Sequence, residues 1–183
     1  MTTLAIIIVT GASGSGKTAT VHALDARKLP GVRCHHFDAV GVPSIEEMYR
    51  DFGSPEQWQA TTTEQWLGRL THHPDDADVH VLEGQTRPSF VREAAERARI
   101  ALARVVLLDC SAQVRHARLA EMRRQPELSN AKMDRWAAYL RGQADALNLP
   151  LIDTTHLEID AAADALARYV DIVRAERDRV PKG

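Results

Sequence analysis

Residues 11–18 read GASGSGKT and follow the apolar run Leu4–Thr10. This octapeptide matches the pattern G-x-x-x-x-G-K-[ST], in which a glycine-rich turn connects a β-strand to the start of an α-helix. The β-branched run before the turn supplies the strand, and Ala19, Val21 and Leu24 at helical spacing after it supply the helix. The stretch is therefore predicted to be a phosphate-binding loop.

The residues of this loop have distinct expected roles. Gly11, Gly14 and Gly16 allow the backbone to direct successive N–H groups toward phosphate oxygens at the positive end of the following helix. Lys17 is expected to reach the β- and γ-phosphates, and the Thr18 hydroxyl is expected to ligate Mg²⁺. The predicted nucleotide contacts in the loop are Gly11, Ala12, Ser13, Gly14, Ser15, Gly16, Lys17, Thr18 and Ala19.

Length and composition restrict the class of protein. A chain of 183 residues with 44% apolar residues suits one domain with a sizeable core and is not typical of a disordered chain. A net charge of −2 argues against a general binder of nucleic acids or membrane surfaces, because no basic excess exists to neutralise many phosphates. The two cysteines lack metal-ligand spacing, and no segment resembles a signal peptide or a membrane span. We therefore expect a cytoplasmic protein, and the sequence leaves the choice between a monomer and a homodimer open.

Apolar segments alternate with amphipathic segments along the whole chain. The predicted strands are residues 4–10, 32–37, 78–83, 103–108 and 149–153. Strands that alternate with helices need right-handed crossovers, which produce a parallel sheet with helices on both faces. The chain is therefore predicted to be an α/β protein, a three-layer α/β/α sandwich around a five-stranded parallel sheet.

Capping boxes mark the expected starts of three helices. Ser44–Glu47 and Ser54–Gln57 predict two helices between the second and third strands, and Thr155–Glu158 predicts the start of the last helix. The first two form a helical insert, about residues 42–73, that contains much of the scarce aromatic content, including Trp58. Aromatic walls suit an acceptor pocket, but the same rings could equally pack the insert onto the sheet.

Two acidic residues lie at the ends of predicted strands, where open α/β sheets bind ligands. Asp38 follows the second strand and is a candidate for chemistry. Glu83 ends the third strand and would stand beside the phosphate loop, where it could hold a magnesium-bound water, if that strand neighbours the first. Arg87 would face the same crevice. The alternative is that Glu83 and Arg87 are solvated surface residues.

A basic segment follows the fourth predicted strand. Its arginines are Arg115, Arg118, Arg123 and Arg124. Such a segment could close over a polyphosphate and stabilise charge during transfer, or it could be a solvated helical face. Arg118 and Arg123 are five residues apart, so they need not share a face of a continuous helix, and Pro126 must break that helix. We expect a short lid at about residues 115–128.

The loop motif and the order of elements resemble those of the small P-loop kinases, among them nucleoside-monophosphate, shikimate and gluconate kinases and chloramphenicol phosphotransferase. The resemblance covers nearly the whole chain and implies one P-loop kinase domain over residues 1–183, with strand order 2-3-1-4-5. Asp38 resembles the acid that accepts the acceptor's proton in hydroxyl-phosphorylating members. Glu83–Arg87 is similar in layout to the Asp-Gly-Phe-Pro-Arg segment of nucleoside-monophosphate kinases, with Glu for Asp and Gln-Thr for Phe-Pro.

The resemblance implies an ATP-dependent kinase that uses Mg²⁺ and phosphorylates a hydroxyl of a small molecule. The implied catalytic residues are Lys17, Asp38, Arg118 and Arg123, with Arg118 also contacting the nucleotide. The implied acceptor-binding residues are Asp38, Trp58, Glu83 and Arg87, and the implied metal-binding residues are Thr18 and, through water, Glu83. A nucleoside or nucleotide kinase is one alternative. A P-loop ATPase or a regulatory nucleotide-binding protein is another, although the chain has no Asn-Lys-x-Asp motif for guanine.

Overall fold

The sheet is built around its most apolar strand, which leads into the phosphate loop. The computed structural model describes residues 4–72 and 77–179, so residue 73, the predicted end of the insert, lies outside these ranges. All five strands run parallel in the order β2-β3-β1-β4-β5, which confirms the predicted fold class and strand order. The strands are β1 (Ala5–Thr10), β2 (Val32–His36), β3 (Val79–Glu83), β4 (Leu102–Asp109) and β5 (Leu151–Asp153).

Seven α-helices connect and cover these strands within the described ranges. They are α1 (Lys17–Ala26), α2 (Ile45–Phe52), α3 (Pro55–His72), α4 (Pro88–Arg97), α5 (Ala112–Ala117), α6 (Ala131–Ala146) and α7 (Ile159–Arg177). The Ser44 capping box forms in full, and the Ser54 hydroxyl accepts a hydrogen bond from the Gln57 N–H at 3.0 Å. None of the helices in the described part of the chain is both long and apolar enough to cross a bilayer.

β1 supplies both halves of the core. Ala5, Ile7 and Val9 point to the face covered by α1 and α7, and Ile6 and Ile8 point to the face covered by α3 and α4. All five side chains are completely buried. A strand that is buried on both faces reads as a continuous apolar run rather than an alternating one, which is why this segment could be recognised from sequence.

The predicted capping box at the start of the last helix is wrong. α7 begins at Ile159 with Glu158 in the cap position, and no side chain caps the helix. The Thr155 hydroxyl instead accepts a hydrogen bond from the N–H of Ser111 at 2.9 Å, and its own N–H donates to Asp153. The segment before α7 is therefore an irregular loop beside the carboxyl end of β5.

Packing of α7 on the sheet predicts a large difference between two substitutions in this helix. Leu166 is completely buried, whereas Ile172 is 54% exposed. Leu166→Ala leaves a cavity in the core and should lower the free energy of unfolding by about 2–5 kcal/mol. Ile172→Ala removes a similar side chain from the surface and should change it by less than about 0.5 kcal/mol. Urea denaturation of both variants measures the difference, and equal losses would contradict this packing.

Candidate functional site

The phosphate loop has the backbone geometry of an anion-binding cradle. Gly14 and Gly16 have φ angles of 84° and 91°, in the left-handed region that favours glycine, and Gly16 caps α1. A Cβ atom on Gly14 would lie 2.9 Å from Cγ of Arg115, so the loop has no room for a side chain there. The Ser15 hydroxyl is buried and has no hydrogen-bond partner within the described residues. These features fit a phosphate group at the positive end of α1.

Lys17 is the buried cation of this loop. Its side chain is 7% exposed, and its Nζ donates a hydrogen bond to the carbonyl of Ala12 at 3.1 Å. Burial lowers the pKa of Lys17 from 10.5 to about 8, while Glu83 and Asp38 oppose this shift and Arg123 adds to it. The ammonium is therefore poorly solvated, which suits it to pair with a phosphate oxygen.

Glu83 lies beside the loop, as the neighbouring positions of β1 and β3 require. Both of its carboxylate oxygens lie 3.4 Å from the Thr18 hydroxyl, and the residue is 7% exposed. Thr18 itself faces solvent at the start of α1. A hydroxyl and a carboxylate are hard oxygen ligands of the kind that Mg²⁺ prefers, so the residues present fit a magnesium ion.

Asp38 is held by a 3₁₀ turn (Phe37–Val40) that directly follows β2. Phe37 anchors this turn: it is 2% exposed, and its carbonyl accepts a hydrogen bond from the Trp66 indole N–H at 3.0 Å. Gly84 faces Phe37, and a Cβ atom there would collide with the Cβ atom of Phe37. Close packing of the turn against the end of β3 therefore positions the exposed Asp38 beside the sheet.

Five ionisable side chains lie within electrostatic reach of one another at this edge of the sheet. The pKa of Asp38 is raised, first by loss of hydration and then by repulsion from Glu83, while Lys17, Arg123 and His36 oppose the rise. Although Asp38 is exposed, the surrounding protein removes part of the water from its carboxyl group. The structure therefore brings together four predicted site residues, Lys17, Asp38, Glu83 and Arg123, from separate parts of the chain.

A π-helical turn (Arg118–Met122) lies within the predicted lid segment, where the sequence suggested a regular helix. The N–H of Arg123 donates to the carbonyl of Arg118, five residues earlier, at 3.0 Å. The wider turn lets both arginines face the same cavity, which a regular α-helix does not guarantee for residues five apart. Arg118 also donates to the side chain and carbonyl of Thr154, at 2.9 and 2.7 Å. Thr154 is a site residue that sequence reasoning missed.

A cavity of about 810 Å³ opens between the phosphate loop, the lid and the loop before α7. This volume is within the range of small-molecule binding sites, about 300–1,000 Å³. The predicted site residues that line it are Gly14, Gly16, Lys17, Thr18, Ala19, Arg118 and Arg123. Gly11, Ala12, Ser13 and Ser15 are buried within the loop.

Trp58 lies on α3 and Arg87 directly before α4, and neither residue lines this cavity. The Trp58 ring meets Phe37 edge-on at 6.0 Å between centroids. The guanidinium of Arg87 donates to Gln59 Oε1 at 2.7 Å and lies 5.0 Å from the centre of the Trp136 ring. Both residues thus make protein contacts on the side of the site formed by the insert, and their contact with an acceptor stays a prediction.

A polar network that sequence reasoning also missed connects α3 to the phosphate loop. Gln59 donates to the carbonyl of Gln85 at 2.6 Å, and the Gln85 side chain donates to the Ser13 hydroxyl at 2.7 Å. The hydroxyl of Thr10 donates to the carbonyl of Thr86 at 2.7 Å. No spacing in the sequence marks these contacts, because each joins segments that are far apart in the chain and that only the fold brings together.

Comparisons with known proteins agree on the fold. Neither the protein-family models nor the curated proteins include a match to this chain. Shikimate kinase from Acinetobacter baumannii, solved with shikimate, is similar with a TM-score of 0.60 and 17% identity, over 98% of this chain and 97% of that one. A tunicamycin resistance protein from Deinococcus radiodurans gives a TM-score of 0.61 and 18% identity, over 91% and 95% of the two chains. Deoxyadenosine kinase from M. mycoides, with bound dATP, gives a TM-score of 0.57 and 13% identity, over 91% of this chain and 99% of that one.

The buried ammonium of Lys17 predicts a pH dependence of stability. Between about pH 8 and the ordinary pKa of 10.5, the native state has lost the Lys17 proton while the unfolded state retains it. The unfolded state then binds more protons, so the free energy of unfolding rises with pH in this window relative to Lys17→Met, and the difference is constant below about pH 8. Urea denaturation at several pH values measures it. Lys132→Met, which removes an exposed charge, is the control. If the free energies of unfolding of the wild type and of Lys17→Met differed by the same amount at every pH in this window, the burial of the Lys17 ammonium would be contradicted.

Proposed function

We propose that this chain, which has the fold of the small P-loop kinases, is an ATP-dependent phosphotransferase that transfers the γ-phosphoryl group to a hydroxyl of a small molecule such as a sugar or an antibiotic. The observation that carries this proposal is the position of Asp38, within electrostatic reach of Lys17 and Glu83 at the carboxyl edge of the sheet. A carboxylate beside the phosphate loop is suited to receive a proton from an acceptor hydroxyl. A nucleotide switch would not need such a group.

The cations of the site would stabilise the charge of the transferring phosphoryl group. Lys17 lies in the loop, and Arg118 and Arg123 line the cavity from the lid. Phosphoryl transfer passes through a loose transition state, in which positioning and electrostatics supply most of the catalysis. The low hydration of Lys17 strengthens its interaction with a phosphate oxygen, because little water competes.

Asp38 would orient the acceptor hydroxyl and accept its proton. A carboxylate whose pKa is raised by loss of hydration is a stronger base than an ordinary aspartate. Its exposure leaves it accessible to an acceptor that enters beside α3, on which Trp66 donates to the carbonyl of the neighbouring Phe37. Trp58, Glu83 and Arg87 are the proposed acceptor contacts on that side.

Thr18 would hold Mg²⁺ directly, and Glu83 would hold it through a water molecule. When bound, the ion would neutralise charge on the β- and γ-phosphate oxygens. The buried Glu83 carboxylate also offsets the positive charge of Lys17 when no nucleotide is present. The same carboxylate therefore serves both the stability of the loop and the binding of the metal.

A nucleoside or nucleotide kinase is the second candidate. The similarity to a deoxyadenosine kinase and the position of Arg87 beside the rings of Phe90, Trp136 and Tyr139 favour it. Arg87 is engaged with Gln59 and lies 3.6 Å from Glu56, so it would have to exchange these contacts for an acceptor phosphate. An uncharged alcohol needs no such exchange, so we rank alcohols ahead of nucleotides as the proposed acceptor.

A screen of acceptors distinguishes these candidates. ADP release is measured by a coupled assay with alcohols, sugars, antibiotics, nucleosides and nucleoside monophosphates. Stimulation by sugars or antibiotics supports the leading proposal, and stimulation by nucleosides or their monophosphates alone would replace it with the second. ATP hydrolysis that no acceptor increases would instead support a P-loop ATPase.

Substitution of Asp38 tests its assigned role. Asp38→Asn should leave ATP affinity almost unchanged and lower the rate of transfer by about 10²–10⁴-fold, because the side chain can no longer accept a proton. Lys17→Ala should abolish transfer, since it removes the cation that contacts the phosphates. Calorimetry measures ATP binding and the coupled assay measures transfer. Asp51→Asn, an exposed carboxylate on α2, is the matched control; full turnover in Asp38→Asn would refute its assignment as the base.

A further inference from the structure

His36, the last residue of β2, lies beside Glu83 in the sheet. The register of the parallel pair β2–β3 places the two residues opposite each other. Nδ1 of His36 lies 2.9 Å from Oε1 of Glu83. An ionised carboxylate can only accept hydrogen bonds, so Nδ1 carries the hydrogen and donates it.

Glu83 needs such a restraint to act at a defined position. A glutamate has one more rotatable bond than an aspartate, and its carboxylate is correspondingly harder to orient. Its contacts with the Thr18 hydroxyl are long, at 3.4 Å for each oxygen. The bond from His36 is the shortest side-chain hydrogen bond described for this carboxylate. It therefore limits which way the carboxylate faces.

The imidazole of His36 is itself fixed by α1. Its ring packs on the ring of His22 with 4.4 Å between centroids. His22 lies one helical turn after Thr18 and lines the large cavity. His36 thus connects the end of β2, the carboxylate of Glu83 and the helix that carries the proposed metal-binding hydroxyl.

We propose that His36 is a positioning residue for the magnesium site: its Nδ1–H holds Oε1 of Glu83 and so orients this carboxylate toward the water shell of the ion. The inference rests on the proposed function, in which Thr18 and Glu83 hold Mg²⁺. Groups that orient metal-binding side chains typically change metal affinity by about 10–100-fold when they are removed. The effect of His36 should therefore fall on metal binding rather than on binding of the nucleotide itself.

Two substitutions of His36 distinguish the contribution of the hydrogen bond from that of the ring contact with His22. His36→Asn keeps an N–H donor near the position of Nδ1 but loses the stack on His22. His36→Phe keeps a stacking ring but loses the donor. Calorimetry with ADP in the presence of Mg²⁺ and in the presence of EDTA gives, for each protein, the factor by which the metal increases nucleotide affinity.

We expect His36→Phe to lower this factor about 10-fold or more and to leave metal-free ADP affinity unchanged. His36→Asn should stay close to wild type. In a Glu83→Gln background, His36→Phe should have no further effect, because the group that it orients has lost its charge. Electron paramagnetic resonance of Mn²⁺ with ADP gives a second measure of metal binding.

Three results would overturn the inference. An unchanged metal factor in His36→Phe would mean that the hydrogen bond does not matter. Equal losses in His36→Phe and His36→Asn, or a loss of metal-free ADP affinity, would assign His36 a packing role. If the wild-type protein bound neither ADP nor Mg–ATP, the proposed function itself would fail, which is distinct from a failure confined to the His36 variants.

Discussion

A buried cation in the phosphate loop is the constraint on which the rest of the site depends. Taking the Lys17 ammonium out of water is unfavourable, and its lowered pKa reflects that cost. The carboxylates of Glu83 and Asp38 offset part of it, while Arg123 increases it. A bound polyphosphate would remove the imbalance by adding negative charge beside the ammonium. The protein thus retains an unfavourable charge arrangement that a phosphate ligand can relieve.

Sheet topology brings these charges together. Because β1 lies between β3 and β4, and β3 lies between β1 and β2, the carboxyl ends of β1, β2 and β3 share one edge of the sheet. The phosphate loop, Asp38 and Glu83 each follow or end one of these three strands. Residues separated by more than 60 positions in the chain therefore contact one another.

Sequence patterns predicted the strands and helices well, but they did not predict contacts between residues that are distant in the chain. The apolar run of β1 and the sequence motif of the loop were sufficient to recognise the strand, the turn and the buried Lys17. The pairing of His36 with Glu83 depends on the register between β2 and β3, and no local pattern encodes that register. Arg118, where the π-helical turn begins, donates a hydrogen bond to Thr154 on a distant segment, and no local pattern encodes that contact either. The false capping box shows the same limit, because Ser111 competes for the Thr155 hydroxyl from a distant part of the chain.

The polar network between α3 and the phosphate loop connects the proposed acceptor side of the molecule to the proposed nucleotide site. Gln59 on α3 accepts from Arg87 and donates to the carbonyl of Gln85, and Gln85 donates to Ser13 in the loop. A displacement of α3 therefore changes hydrogen bonds that end within the phosphate loop. A polar network with some hydrogen bonds unmade is unfavourable, so the side chains of this network are expected to rearrange together rather than one at a time. In the proposed function, these side-chain amides would link selection of the acceptor to alignment of the phosphate loop.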